Sequence, residues 1–349
     1  MPEIIEAEFK KQLEKSDFSN LYLIYGEEKY LIVNYAQKMI AKAAGSVFSD
    51  FNLQCFDDSA SIDEIAAAVE ALPFMAERKC VAVSDLDVES LRVQEVAKLD
   101  ELIANIPETT VLIFYLPTVV IDYKKDKKWK KFLTSANQIG CTVQLKKRSN
   151  PDLEKLLCTG ATKRGCVLPR AGAARIIGYC GNDMQTLLNE LEKLCAFVKE
   201  GEITTQLIDQ MVVRNLETKV YDLSKAIIAG EYDKAYGVLD LLFYQNEEPV
   251  SVLAVLSSAY VDMYRVRTSV QSGRGAMEPA KYFDYARKEF RLTNAERDAK
   301  KLTSSMLRES LQALLQADTA LKSARGDRRI VMEKLIAQLL LIAEGERIA

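Results

Sequence analysis

Leu21-Tyr22-Leu23-Ile24-Tyr25-Gly26-Glu27-Glu28-Lys29-Tyr30-Leu31 is an apolar, β-rich run that meets a turn and then a helical pattern. A nucleotide-binding α/β fold carries its phosphate loop at such a junction. That loop needs several glycines so that backbone N–H groups converge on the anion, and a Lys followed by Ser or Thr, spaced G-x-x-x-x-G-K-[ST]. Here a single glycine is followed by two carboxylates. At an effective dielectric of about 20 and a separation of about 4 Å, each like charge set against a triphosphate costs roughly 4 kcal/mol. One or two remaining N–H contacts return less than that. The stretch reads as a nucleotide-binding scaffold without its nucleotide, and predicts no cofactor and no metal.

Outward from this run, residues 21 to 147 alternate short β-rich segments with amphipathic ones. Tyr22 to Tyr25, Leu53 to Phe56, Cys80 to Ser84, Val111 to Leu116 and Cys141 to Leu145 are predicted strands of a parallel α/β sheet. Ahead of the third strand, Ser61 with Glu64 three residues on predicts a capped helix with Ile62, Ile65, Ala66 and Val69 on one face, ended by Pro73. Past Lys146-Lys147-Arg148-Ser149-Asn150-Pro151 the strand signal stops, and everything downstream reads as helical. Three or four short helices fill 151 to 212, with Leu187, Leu188, Leu191, Leu194 and Cys195 as one stripe. Longer helices follow from 213, with Leu253, Leu256, Tyr260 and Met263, then Leu307, Leu311 and Leu314, then Met332, Leu335, Ile336 and Leu339, recurring at three and four. The predicted division is 1–148, 149–212 and 213–349. The last part is a bundle of five or so helices with no polar constellation inside its stripes, as packing domains have.

Composition narrows the chemistry. The 349 residues suffice for two or three cores, and the net charge of -3 hides opposite local signs. Histidine is absent, which removes Ser-His-Asp and Cys-His catalysis and the commonest transition-metal ligand. Seven cysteines without C-x-x-C spacing, mostly within apolar segments, read as small buried hydrophobes. No apolar run reaches membrane-span length. Met1-Pro2-Glu3-Ile4-Ile5-Glu6 lacks the basic and apolar regions of a signal peptide, which predicts a cytoplasmic protein.

Four groups of residues stand out. In Leu72-Pro73-Phe74-Met75, followed by Arg78 and Lys79, the proline must stop the helix. The large apolar side chains then either sit at its exposed tip or close the core under the third strand. Tyr123 with Lys124, Lys125, Lys127, Lys128, Trp129, Lys130 and Lys131 mixes basic and aromatic residues as nucleic-acid surfaces do. The same pattern fits a solvated helix face with Trp129, Phe132 and Leu133 turned inward. Arg325, Arg328 and Arg329 around Gly326 form a second basic cluster, or an ordinary helix cap. Acid residues at strand ends, Glu27-Glu28, Asp57-Asp58 and Asp85 with Asp87, are either a magnesium site of a phosphohydrolase built on Glu27, Asp57 and Asp85, or caps of the following helices.

The order of parts resembles the clamp-loader branch of the AAA+ proteins, and within it the delta-subunit family of the bacterial DNA polymerase III clamp loader. The carriers are Leu21 to Leu31, Ala71-Leu72-Pro73-Phe74-Met75-Ala76-Glu77-Arg78-Lys79, Asn189-Glu190-Leu191-Glu192-Lys193-Leu194, and Asp318 to Lys322. The resemblance implies an AAA+-like α/β domain lacking a functional Walker A, a small helical lid and a helical collar. It implies a subunit with no catalysis of its own inside a DNA-directed DNA polymerase holoenzyme, a nucleotidyltransferase complex. Such a subunit binds and opens the sliding clamp (beta subunit) by inserting an apolar helix tip into a clamp pocket, without hydrolysing ATP itself. The clamp-binding residues implied are Leu72, Pro73, Phe74 and Met75. The partners implied are the motor and delta-prime subunits, primer-template DNA through the assembled complex, and no membrane. The four-cysteine zinc module and Ser-Arg-Cys finger of the delta-prime family are missing, as is the complete Walker A of the motor subunits.

Overall fold

The computed structural model describes residues 5–45, 49–119, 121, 126–285, 289–323 and 327–345. The chain packs as two units, one of Met1–Thr159 with Asn182–Asn189 and one of Gly160–Gly181 with Glu190–Ala349.

The first unit opens with α1 (Glu6–Lys15), a helix that the sequence reading does not anticipate, which buries Phe9 and Leu13. Next come β1 (Leu21–Gly26), α2 (Lys29–Ala43), the single turn α3 (Ser49–Asn52), β2 (Leu53–Phe56), α4 (Ile62–Glu70) and β3 (Lys79–Ser84). They are followed by α5 (Val93–Ala104), β4 (Thr110–Tyr115), α6 (Lys127–Ile139) and β5 (Cys141–Leu145). All five expected strands form, within one residue of their expected bounds. Because a helix lies in each connection, the strands run parallel, in the order β2-β3-β4-β1-β5. Leu23 sits beside Phe114 on one side and Thr142 on the other.

The inner strands β1, β3 and β4 are covered on both faces, which is why they read as continuous apolar runs. β2 at the edge is not, and its Cys55 is exposed, against the expectation for the cysteines; Cys80, Cys141, Cys166, Cys180 and Cys195 are buried. The capping box at Ser61 is present, with Glu64 N donating to Ser61 Oγ at 3.3 Å and Ser61 N to Glu64 Oε2 at 2.9 Å.

α7 (Asn150–Thr162) takes Pro151 into its first turn, where the missing N–H costs nothing. Beyond it lie β6 (Cys166–Val167), α8 (Arg170–Cys180), α9 (Met184–Val198), β7 (Gly201–Glu202) and α10 (Thr205–Met211). The all-helical expectation needs correction here, since β6 and β7 form a parallel pair with Cys166 beside Gly201. Two residues per strand are too few to leave an alternation in the sequence.

The second unit continues with α11 (Leu216–Ile228), α12 (Tyr232–Tyr244), α13 (Pro249–Gln271), α14 (Phe290–Ala299), α15 (Ser304–Lys322) and α16 (Arg328–Glu344). Leu253, Leu256, Tyr260, Met263, Leu307, Leu314, Met332, Leu335, Ile336 and Leu339 share its core. A polar constellation, absent from the sequence reading, also lies in these helices. Buried Asp262 accepts from Tyr285 Oη at 2.5 Å and Arg291 Nε at 2.8 Å, and Arg291 also reaches Ser258. Paired on both oxygens, the carboxylate locks α14 to α13 and avoids the cost of a lone buried charge. Among the described residues no helix is long and apolar enough to cross a membrane.

Candidate functional site

At the end of β1 the turn is too tight for a phosphate cradle. Only Glu27 and Glu28 separate β1 from α2. The N–H groups of Glu27 and Glu28 both donate to Leu145 O of β5, at 2.9 and 3.1 Å, so the donors that a phosphate would need are turned into the sheet. Gly26 has φ 137°, and a Cβ there would lie 2.3 Å from Leu145 O, so the residue type follows from how closely the two strand ends approach. Glu28 is 5% exposed, with Oε2 lacking a hydrogen-bond partner among the described residues. Burial pushes its carboxyl above the usual range, against the opposing pull of the Arg148 backbone N–H and the Lys147 charge.

The strand-end acids do not converge, which corrects the phosphohydrolase reading. β1 and β2 are separated by β4 and β3, so Glu27 and Asp57 stand about 14 Å apart by strand spacing. Three of these acids brace loop backbone instead, Asp85 that of the neighbouring loop after β4. Asp57 Oδ1 accepts from Ser59 N at 3.0 Å, Asp87 Oδ1 from Glu89 N at 3.0 Å, and Asp85 Oδ1 from Thr118 N and Val119 N at 2.8 and 3.2 Å. Among the described residues no group of three or more His, Cys, Asp or Glu side chains is placed to hold a metal ion.

The opposite edge of the sheet, where β2 and β3 begin, carries the apolar segment. α4 stops at Glu70: Pro73 disfavours the helical conformation for Leu72 directly before it, and Ala71 is already extended (ψ 140°). Leu72-Pro73-Phe74-Met75 is therefore a loop between α4 and β3, and the expected helix tip is corrected to a loop beyond the helix end. Its side chains face solvent: Leu72 is 84% exposed, Phe74 48% and Met75 77%. Met75 holds φ 49°, in the left-handed region, a conformation that costs a residue with a Cβ about 1 kcal/mol or more.

Five side chains fix this loop and the helix end that leads into it. The Asn52 amide, fully buried, grips the Phe74 backbone from both sides, accepting from Phe74 N at 2.7 Å and donating to Phe74 O at 2.9 Å. The Phe51 ring packs on Phe74 at 5.1 Å between centroids. Thr110 Oγ1 donates to Val69 O at 2.9 Å and Lys79 Nζ to Ala68 O, capping the last carbonyls of α4. Arg78 Nη1 donates to Phe18 O at 2.9 Å. Lys79 is buried, and its ammonium pKa is lowered by that burial. Phe51 and Asn52 escape a sequence reading because they lie more than 20 residues upstream. They arrive through parallel pairing, which sets Leu53 beside Cys80.

The basic segments divide. Lys124, Lys125 and Arg325 lie outside the described residues. Asp126 caps α6, accepting from Lys128 N and Trp129 N at 2.7 and 2.9 Å, and Trp129, Phe132 and Leu133 point into the core. Lys128 Nζ donates to Glu89 O and Leu91 O, both at 2.7 Å, and Lys131 pairs with Asp100 at 2.5 Å. Lys127 is exposed. Arg329 bridges Asp240 at 2.6 Å and Glu333 at 2.8 Å, while Arg328 stands more loosely, 3.7 Å from Glu248.

Known proteins give a consistent match. A family model described as DNA polymerase III, delta subunit, matches residues 22–142, and one for that subunit's C-terminal domain matches 217–339. The DNA polymerase III subunit delta of Bacillus subtilis is 23% identical over 338 residues, 95% of each chain. A probable DNA polymerase III subunit delta of Aquifex aeolicus is 21% identical over 303 residues, 82% of this chain and 84% of its own. The solved structure of a Bacillus subtilis DNA clamp loader delta protein overlays with a TM-score of 0.63 at 22% identity, covering 96% of this chain and 99% of that one. The AAA+-like fold expected from the sequence, parallel α/β followed by helices, is the one observed.

Proposed function

We propose that this chain, which belongs to the DNA polymerase III delta subunit family and so is an accessory subunit of the clamp loader, binds and opens the sliding clamp through Leu72, Pro73, Phe74 and Met75. The observation that carries the reading is a loop with three large apolar side chains turned to water, held by a fully buried amide. Exposed apolar side chains on a rigid mount are what a hydrophobic pocket captures.

At their observed exposures, Phe74 and Met75 leave roughly 240 Å² of apolar surface to bury, about 6 kcal/mol before the costs of association. Moving a ring from 1:99 to 99:1 in favour of the open form takes about 5.5 kcal/mol of differential affinity. Plug burial can drive opening only if nearly all of it is withheld from the closed ring.

The chain does this without hydrolysing ATP itself. Supporting that, Glu27 and Glu28 spend their N–H groups on Leu145, and the turn carries a single glycine and two acids in place of a phosphate loop. Hydrolysis then belongs to the motor subunits. In this reading residues 1–148 are the clamp-binding domain, 149–212 the lid and 213–349 the collar that joins the motor and delta-prime subunits in a cytoplasmic assembly. Toward primer-template DNA, Lys127 and Arg328 carry the proposal among the described residues, since Lys128 and Arg329 are drawn into contacts within the chain.

The test is co-elution of the purified chain with the sliding clamp on a sizing column. Phe74→Ala with Met75→Ala is expected to abolish it and leave the thermal melt unchanged. Retained co-elution, or a variant that unfolds, overturns the reading.

A further inference from the structure

We infer that Asn52 is the positioning residue of the clamp-binding loop: its side-chain amide holds Phe74 and Met75 in the presented conformation before any partner arrives. The inference rests on the clamp-binding reading and deepens it.

Asn52 closes α3, directly before β2, and is fully buried. Its amide meets both backbone groups of Phe74 at 2.7 and 2.9 Å, reproducing with one side chain the two-bond contact of a strand neighbour. β2 ends its pairing at Leu53 with Cys80, so no backbone ladder reaches the loop, and the amide stands in for it. Asn suits the position because it supplies a donor and an acceptor on one planar group. Asp lacks the donor, and Ser cannot span both sites.

The neighbouring residue shows why a clasp is needed. Met75 is held at φ 49°, a conformation that an unrestrained chain with a Cβ leaves. Fixing Phe74 immediately before it leaves the Met75 side chain exposed, while the Phe74 ring packs against Phe51 at 5.1 Å. A loop ordered in advance does not have its backbone entropy to lose on binding, so the clasp acts on affinity although Asn52 is itself fully buried and out of reach of the clamp.

The experiment compares wild type, Asn52→Ala, Asn52→Asp and the Phe74→Ala/Met75→Ala double variant. Clamp affinity is measured by biolayer interferometry, and amide hydrogen exchange is followed in the free proteins. Both Asn52 variants are expected to bind the clamp at least 10-fold more weakly and to exchange the Phe74 amide at least 10-fold faster, while the β3 amides of Val81 to Val83 keep their protection. Those strand amides report folding in the same sample. If Asn52→Ala fails to fold, the near-isosteric Asn52→Asp carries the comparison. Faster exchange at Phe74 with wild-type affinity overturns the inference, as does unchanged exchange. If instead the double variant binds as wild type does, the clamp-binding reading itself has failed, whatever the Asn52 variants show.

Discussion

Replacing Glu28 with Gln should make the protein more stable at pH 7, an outcome opposite to that of most substitutions at buried polar positions. Glu28 is 5% exposed, accepts one N–H from Arg148, and among the described residues leaves Oε2 without a hydrogen-bond partner. An unsatisfied buried acceptor costs about 1–3 kcal/mol. Gln keeps the acceptor, carries no charge to desolvate, and removes the repulsion with the Asp183 carboxylate. The expected gain is about 1–3 kcal/mol, a rise of a few degrees in Tm. Burial raises the folded-state pKa of Glu28 above its unfolded value of 4.5. Its penalty is therefore present in full above the folded pKa and is relieved as pH falls toward 4.5. Wild type should gain stability from this group on acidification from neutral pH, and Glu28→Gln should not.

Glu6 supplies a control of opposite sign. Burial works against its ionised form but is outweighed by hydrogen bonds from Tyr35 at 2.6 Å, Lys10 at 3.0 Å and Arg148, which bring its pKa from 4.5 to about 2. That stabilisation is complete above pH 4.5 and is lost as pH falls through about 2. With a fifth of the side chain exposed, Glu6→Gln should lose about 2 kcal/mol at pH 7. Urea unfolding at a series of pH values, followed by the fluorescence of Trp129, reads both, because the chain's single tryptophan is buried in the same unit. A Glu28→Gln variant that is less stable at pH 7 would refute the reasoning, since the carboxylate would then have a partner that holds it ionised.

Gly26→Ala would set a Cβ 2.3 Å from Leu145 O at a φ of 137°, and should cost at least about 3 kcal/mol or prevent folding, read as a loss of soluble, cooperatively melting protein. Magnesium-ATP at millimolar concentration should leave the melt of the isolated chain unmoved. A site filled at 100 times its Kd would add about 2.7 kcal/mol, so a shift of several degrees would contradict the reading of the turn at Glu27 and Glu28.

The sheet was legible because its inner strands are covered on both faces and must be continuously apolar, while Gly26, Pro73 and the capping box at Ser61 punctuate the chain between them. Strand order was not legible, since no local pattern states that β1 lies between β4 and β5. The apolar segment at 72–75 was visible as sequence, but its support was not. Asn52 is 22 residues upstream of Phe74, and only the reach of Lys79 to Ala68 O reveals that residue as a cap. Asp262 was passed over for a related reason. A lone acid beside an apolar stripe reads as solvent-facing until Tyr285 and Arg291, from later segments, turn out to close on it.

The two ends of β3 divide the work of this fold. Open α/β sheets bind small ligands in the crevice at the carboxyl ends of their strands, and here that end holds Leu145 O, a buried Glu28 and acids committed to loop backbone. The apolar loop stands at the amino ends, about 20 Å away along a six-residue strand. Loops at that edge owe nothing to phosphate geometry, so α4 can stop early, Met75 can take a left-handed conformation and Asn52 can be buried as a clasp without disturbing the crevice. Sites that far apart with no shared partner should behave additively. The stability effect of Glu28→Gln should therefore be the same whether Phe74 and Met75 are present or replaced, and coupling between them would mean that the sheet transmits strain from one edge to the other.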